Sequence, residues 1–324
     1  MENKIGNKTI LVTGGAGFIG SHVARELLNY SPRKILILDN LIRGSLDNIK
    51  DIIDNPAVNF IKGDIVDCNL TDKLVRESDY IFHMSALRIN ACAENPGYAF
   101  DTMIKAVFNL AESAVKHKVK KIIYSSSASV YGLAQNFPTP ESDNPYNNRT
   151  FYGAAKLWGE QLFRSYNYMF GLDYTALRYF NVYGPGMDSL GKYTEVMIKW
   201  LNCIMRNKDP EIHGYGNTTM DFIYISDVVK ANISALLKDV SDMTFNIGSG
   251  KETSLTELLN ILLKLNRSKL KPVFVNNDNN NPVNRRHSDV SLAAKHLGFK
   301  TEVTLEEGLK RTSDWYFQIY SDKK

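Results

Sequence analysis

Cysteine is scarce in this chain. Cys68, Cys92 and Cys203 are the only three in 324 residues, an odd and widely spaced set that gives neither a disulfide framework nor a metal pattern. The six histidines show no ligand spacing either, so no metal is expected. Long apolar runs are missing, and the opening MENKIGNKTILVTGG lacks the layout of a signal peptide. A membrane role is therefore not expected, and a reducing, cytoplasmic setting fits the free thiols. An excess of one charge is also missing. The balance of 39 basic and 35 acidic residues leaves +4, which argues for no nucleic-acid partner. The densest basic run, KHKVKK at 116–121, reads as a solvated helix end followed by a strand start. What is present is ordinary: 44% hydrophobic and 23% charged residues, with length enough for one large α/β domain or two.

The first half alternates short apolar runs with helical patterns. KTILVTGG, KILILDN, VNFIKGD, DYIFHMSA, VKKIIYSSS and YTALRYFNVYG read as six strands. SHVARELLNY, residues 101–116 and YGAAKLWGEQLFRSYNYMFG read as helices, the last stopped by Gly171. Strands alternating with helices predict a doubly wound parallel sheet covered on both faces. After Gly184-Pro185 the alternation loosens into a helix, a strand and helix from MDFIYISD, a strand and turn in FNIGSG, and two more helices. The asparagine-rich VNNDNNNPVNRR is a polar loop.

Where the first strand meets the first helix stands TGGAGFIGSH, with Gly14, Gly17 and Gly20 three apart. A sharp turn and a close backbone approach to a pyrophosphate both favour residues without a Cβ, and the helix start at Phe18 and Ile19 offers unpaired N–H groups. The spacing is specific because it follows a strand, opens a helix and precedes an acidic residue, Asp39, at the next strand's end. A carboxylate there suits a ribose with both hydroxyls free, so NAD is the expected cofactor, with Asn40 beside it. Arg43 is near enough in sequence to leave NADP open. Asp64 and Ile65 follow the third strand, and Met84, Ser85, Ala86 and Arg88 follow the fourth, at carboxyl ends where open α/β sheets bind nucleotides.

Tyr152 stands four residues before Lys156 on one predicted helix face. A free phenol, with a pKa near ~10, is a poor base at neutral pH. A neighbouring cation favours the phenolate and brings it toward the range of a general base.

These motifs, with SSSASVYG, RYFNVYGP and DFIYISD, resemble the extended short-chain dehydrogenase/reductases of the NAD-dependent epimerase/dehydratase family, and most of all the UDP-hexose 4-epimerases. The resemblance implies a Rossmann-type dinucleotide domain over residues 1–181, with a returning segment near 219–243. Residues 182–324 would mainly form a smaller α/β substrate-binding domain. It implies catalysis by Tyr152 as base, with Lys156 holding the nicotinamide ribose and lowering the tyrosine's pKa, and with Ser127 bonding the reacting sugar oxygen. Tyr179 would line the nicotinamide end. Ser129, Asn181, Tyr193 and Arg286 would take the substrate, a nucleotide sugar carrying UDP. Arg285 is the alternative to Arg286 as diphosphate clamp. Related 4,6-dehydratases carry Asp and Glu where this chain has Ala128 and Ser129, which favours epimerisation over elimination. A reductase, a decarboxylase, a dehydratase and a non-catalytic NAD sensor remain the alternatives. Three departures stand out: Met220 replaces a common arginine, Met103 a common asparagine, and Arg88 a common lysine. Helices near 101–117 and 152–170 would form a homodimer interface.

Overall fold

The computed structural model describes residues 4–189, 195–214, 216–275 and 283–321. Among these, seven strands form one sheet: β1 (Thr9–Thr13), β2 (Lys34–Asp39), β3 (Val58–Lys62), β4 (Tyr80–His83), β5 (Lys121–Ser127), β6 (Tyr174–Tyr179) and β7 (Met243–Ile247). Their order is β7–β6–β5–β4–β1–β2–β3, and every neighbouring pair is parallel. This is a Rossmann-type, doubly wound sheet, with β1 between β4 and β2 where the order reverses.

Strand β1 is buried along its whole length, as a central parallel strand must be. Its side chains alternate between two cores. Ile10 and Val12 enter one apolar cluster, while Leu11 joins Leu36 and Leu38 of β2 in the other. The second face is covered by α2 (Cys68–Arg76), α3 (Ala106–Lys116) and α4 (Phe151–Phe170). The first is covered by α1 (Phe18–Leu27) and by the later helices α5 (Val196–Met205), α6 (Ile225–Leu237), α7 (Leu255–Leu265) and α8 (Leu305–Ser321).

One sequence expectation needs correction and two are refined. The run YTALRYFNVYG is two strands, not one. Phe180 N–H still donates to Ile247 beside β6, but Asn181 N–H donates to Asp221, so residues 181–183 leave the sheet and pair with Phe222–Tyr224. The helix expected from residue 101 begins as a π-helical turn, Asp101–Lys105, before α3. Finally, the basic run is the expected helix end and strand start, with Lys116, Lys118 and Lys120 exposed, but several of its charges are paired. Lys116 and His117 reach Asp72 at 3.2 and 3.0 Å, Lys120 reaches Asp79 at 3.1 Å, and Lys121 is buried. No described helix is long and apolar enough to cross a membrane, and no described His/Cys/Asp/Glu group could hold a metal ion.

Candidate active site

The loops after β1, β2, β3 and β4 meet at one edge of the sheet. Gly14 has φ +66°, and a Cβ there would stand 2.8 Å from the Ser85 nitrogen, so only glycine allows the β1 and β4 loops to touch. Ser85 N–H in turn donates to Thr13 Oγ1 at 3.3 Å, and Met84 N–H to the Thr13 carbonyl at 3.0 Å. Gly17 is the N-cap of α1. No side chain caps this helix and no acidic residue lies in its first turn, where Phe18 and Ile19 are half-buried. Its positive end is thus left for an anion.

Asp39 is buried and ties the same loops together. Its carboxylate accepts from Ala16 N–H at 3.0 Å and from Leu41 N–H at 2.8 Å. Burial pushes its pKa up, against those two N–H groups, that of Gly17 and the Arg43 cation. Asp64 accepts from Tyr98 OH at 2.7 Å and from Asn40 Nδ2 at 2.8 Å. Those bonds outweigh burial and hold its carboxyl low. Tyr98 was not foreseen, since nothing in its local pattern marks it. Ile65 is buried beneath this corner. A cradle that a Cβ would fill, an uncapped helix start and a buried acid at the end of β2 together fit NAD. A 2′-phosphate would meet the Asp39 charge.

The second group sits where β5 faces α4. Thr150 caps α4 by accepting from Gly153 N–H at 3.1 Å, which places Tyr152 in the first turn. A Cβ on Gly153 would lie 2.4 Å from the Ser129 carbonyl, so the small residues after Tyr152 are what let the helix lie against the β5 loop. Ser127 lies near enough to the Tyr152 phenol to lower its pKa, and accepts from Ser129 N–H at 3.1 Å. Lys156 is buried. Its amine donates to the Ser125 carbonyl at 2.5 Å and lies 5.9 Å from the centre of the Tyr152 ring.

Tyr152, Lys156 and Ser127 are therefore brought together, but the electrostatics differ from the simple picture. Burial raises the phenol's pKa, and the opposing influences are the Ser127 hydrogen bond and the cations Arg43 and Arg88. Burial also pushes Lys156 down to about 7, so near neutrality it carries only part of a charge. Arg43 lies 3.8 Å from Asp188, and Arg88 lies 3.4 Å from Glu195. Their convergence on one tyrosine from two loops leaves no trace in the local sequence. Met103 is buried against Cys92, Sγ to Sδ 3.6 Å, in a small cluster on which Tyr152 and Ala86 pack.

The substrate side is built from smaller pieces. Arg286 donates to the Ala128 carbonyl and lines a cavity with Ile89, Ser129, Leu133, Asn147 and Thr150. Burial lowers its pKa to about 10. Its neighbour Arg285 is instead engaged by a forked pair with Glu252, at 2.6 and 2.8 Å. Asn181 Nδ2 donates to the Asp221 carbonyl at 3.1 Å. The Asp221 side chain, fully buried, accepts from Ser249 N–H (2.6 Å) and Oγ (2.7 Å), from Gly250 N–H (3.1 Å) and from Ser288 N–H (3.1 Å) and Oγ. Tyr179 OH donates to Asn232 at 2.7 Å. Met220 pairs across a two-stranded piece with Thr253. Tyr193 lies outside the described residues.

A model of the NAD dependent epimerase/dehydratase family matches residues 10–248. The chain belongs to that family. A Methanocaldococcus jannaschii relative is 37% identical over 311 residues, covering 94% of this chain and 97% of its own. The structure of a UDP-glucose 4-epimerase from Thermotoga maritima with UDP-glucose superposes with a TM-score of 0.90, at 32% identity over 96% of this chain and 99% of that one. A UDP-N-acetylglucosamine 4-epimerase from Methanobrevibacter ruminantium, in complex with UDP-N-acetylmuramic acid, gives 0.91 at 31% identity, covering 97% and 99%. Family membership makes NAD the cofactor, in agreement with the cradle and Asp39.

Proposed function

We propose that the chain is an NAD-dependent 4-epimerase of UDP-sugars, with UDP-glucose, UDP-N-acetylhexosamines and UDP-glucuronate as the candidate substrates. The observation that carries this reading is the placing of Tyr152 and Lys156 on one helix face against Ser127 at the end of β5, beside the dinucleotide cradle, with Ala128 and Ser129 in place of an eliminating acid and base. When bound, NAD supplies a hydride acceptor, and afterwards a donor, for C4 of the sugar. Tyr152 removes the proton from the C4 hydroxyl and returns it after the sugar has turned over. Ser127 orients that oxygen, and Arg43 and Arg88 help the phenolate form. Lys156 holds the nicotinamide ribose. Asp39, Asn40, Asp64 and the loop residues Gly14, Gly17 and Gly20 bind the rest of the dinucleotide, with Met84–Ala86 and Tyr179 near its nicotinamide end. Arg286 clamps the diphosphate, with Asn181 beside it. The choice of Arg286 over Arg285 is supported by the forked Arg285–Glu252 pair.

The test is incubation with each UDP-sugar without added cofactor, with products read by proton NMR at C4. The C4 epimer should form, and should be lost in Tyr152→Phe. A dehydrated or decarboxylated product would replace this reading by one of its neighbours on the same scaffold.

The division at 181, with a return near 219–243, remains a proposal. It is supported by α6 and β7, which bring the later chain back to the main sheet. A homodimer is supported by apolar side chains left exposed along the expected interface, among them Phe100, Phe108 and Phe151. Light scattering giving a single monomer mass would remove it. Three free cysteines support a reducing compartment.

A further inference from the structure

Residues 152, 156 and 160 recur every four positions along one face of α4, and each meets one of three consecutive serines at the end of β5. Tyr152 feels Ser127, which lowers its pKa, Lys156 donates to the Ser125 carbonyl, and Glu160 accepts from the Ser126 hydroxyl. Glu160, whose side chain is 3% exposed, also forms a forked ion pair with Arg178 of β6, at 2.9 Å (Nε–Oε1) and 2.6 Å (Nη2–Oε2). Arg178 gives its remaining bonds to Tyr131 OH at 2.8 Å and the Glu141 carbonyl at 2.9 Å. A buried pair of this kind stabilises a fold no better than well-packed apolar side chains of the same volume. Its place, one helical turn beyond Lys156 and bonded between the serines that hold the catalytic pair, gives it another use.

We propose that Glu160 and Arg178 form a positioning dyad for the reaction. Glu160 sets α4 in the register that delivers Tyr152 to Ser127, and places a carboxylate one helical turn from Lys156, where it favours the ammonium form. This rests on the epimerase reading above. The groups facing Lys156 are Tyr152 and Glu160 on its own helix, Tyr124 on β5 with its ring 5.1 Å from the amine, His83 on β4 and Cys92. Burial keeps His83 neutral, pushed down to about 3, keeps the Cys92 thiol neutral, pushed up to about 11, and raises Tyr124 well above its ordinary value. Tyr152 is also a neutral phenol at rest, because burial raises it. Among these groups Glu160 is thus the acidic one held in an ion pair. Without its charge Lys156 loses its proton more readily, and the buried Arg178 cation on β6 is left without its counter-ion.

The experiment pairs the pH profile of kcat with a direct titration of Lys156 by NMR of ¹³Cε-lysine-labelled protein, its resonance assigned with Lys156→Arg. In Glu160→Gln the Lys156 midpoint and the alkaline limb of kcat should both move acidward by about half a pH unit or more. Activity should then fall more at pH 8 than at pH 6. In Glu160→Gln/Arg178→Met, which buries no lone charge, the midpoint should lie between those of the single variant and the wild type. This double variant carries the test by itself if the single one does not fold. A wild-type midpoint in either variant, or a loss of kcat by one factor at every pH, overturns the proposal. If the wild-type protein epimerises none of the sugars, the functional reading fails, while the Lys156 titration still decides the dyad.

Discussion

The two walls of the cleft are held in different ways. On the sheet wall every candidate residue lies at or just beyond the carboxyl end of a strand: Gly14 after β1, Asp39 at the end of β2, Asp64 after β3, Met84 after β4, Ser127 ending β5 and Tyr179 ending β6. Each position is set by a ladder of parallel backbone pairing, so no single side chain is indispensable to the frame. The opposite wall has no such ladder. Asn181 and Met220 sit on pairings of two or three residues and Arg286 beside the single Thr219–Arg285 bridge, and Asp221, next to Met220, ties residues 181, 249, 250 and 288 by its carboxylate and carbonyl. One wall is held redundantly, and the other hangs largely on one buried acid.

The largest expected effect tests the chemistry that α4 brings against the sheet wall. Tyr152→Phe should lower kcat by about 10³-fold or more while the protein keeps its bound NAD, measured by epimerisation and by absorbance of the released cofactor. The contrast between the walls is then sharpened by Asp221→Ala. It strands the donors of Ser249, Gly250 and Ser288 and should lower the unfolding free energy by about 3–5 kcal/mol in urea titrations. A loss below 1 kcal/mol would mean the substrate wall has other supports.

His83 probes the redundancy of the sheet wall by pH. Its buried ring donates to or accepts from Thr13 Oγ1 at 2.8 Å and takes a proton only at about pH 3, against an ordinary value near 6.5. The unfolded chain therefore binds a proton that the folded one refuses. Stability from this group is full above about pH 6.5 and should fall by on the order of 3–5 kcal/mol as pH drops toward 3. His83→Gln should flatten that slope. Arg286→Ala should raise KM for the UDP-sugar about tenfold or more, with a smaller change in kcat, as fits loss of a charge-assisted contact made throughout the reaction. The smallest effect is expected from Arg285→Ala. Its partner Glu252 is held down to about 2 by the Arg285 hydrogen bonds, yet the pair is open to solvent, so neither KM nor the urea midpoint should move appreciably.

The same contrast explains what could be read in the sequence. Period and punctuation reveal parallel strands and a glycine turn because these depend on neighbours along the chain, and so the sheet, the cradle, Asp39 and the Tyr152–Lys156 spacing were all legible. The change of partner at Phe180 was not, because it depends on where Ile247 and Asp221 lie in space. Nor was the burial of Lys121, whose amine reaches the Val240 carbonyl across the sheet edge. The convergence of Arg43 and Arg88 on Tyr152, and the choice between Arg285 and Arg286, likewise belong to contacts between distant segments.

Those two arginines have a consequence for how a ligand enters. Arg43 and Arg88 come from loops of the sheet wall, and their carboxylate partners, Asp188 and Glu195, come from the other side of the cleft. Each guanidinium already has a counter-ion that cannot diffuse away. An anion binding at either guanidinium would have to compete with a tethered carboxylate, so its binding would be an exchange of counter-ions rather than the filling of an empty charge.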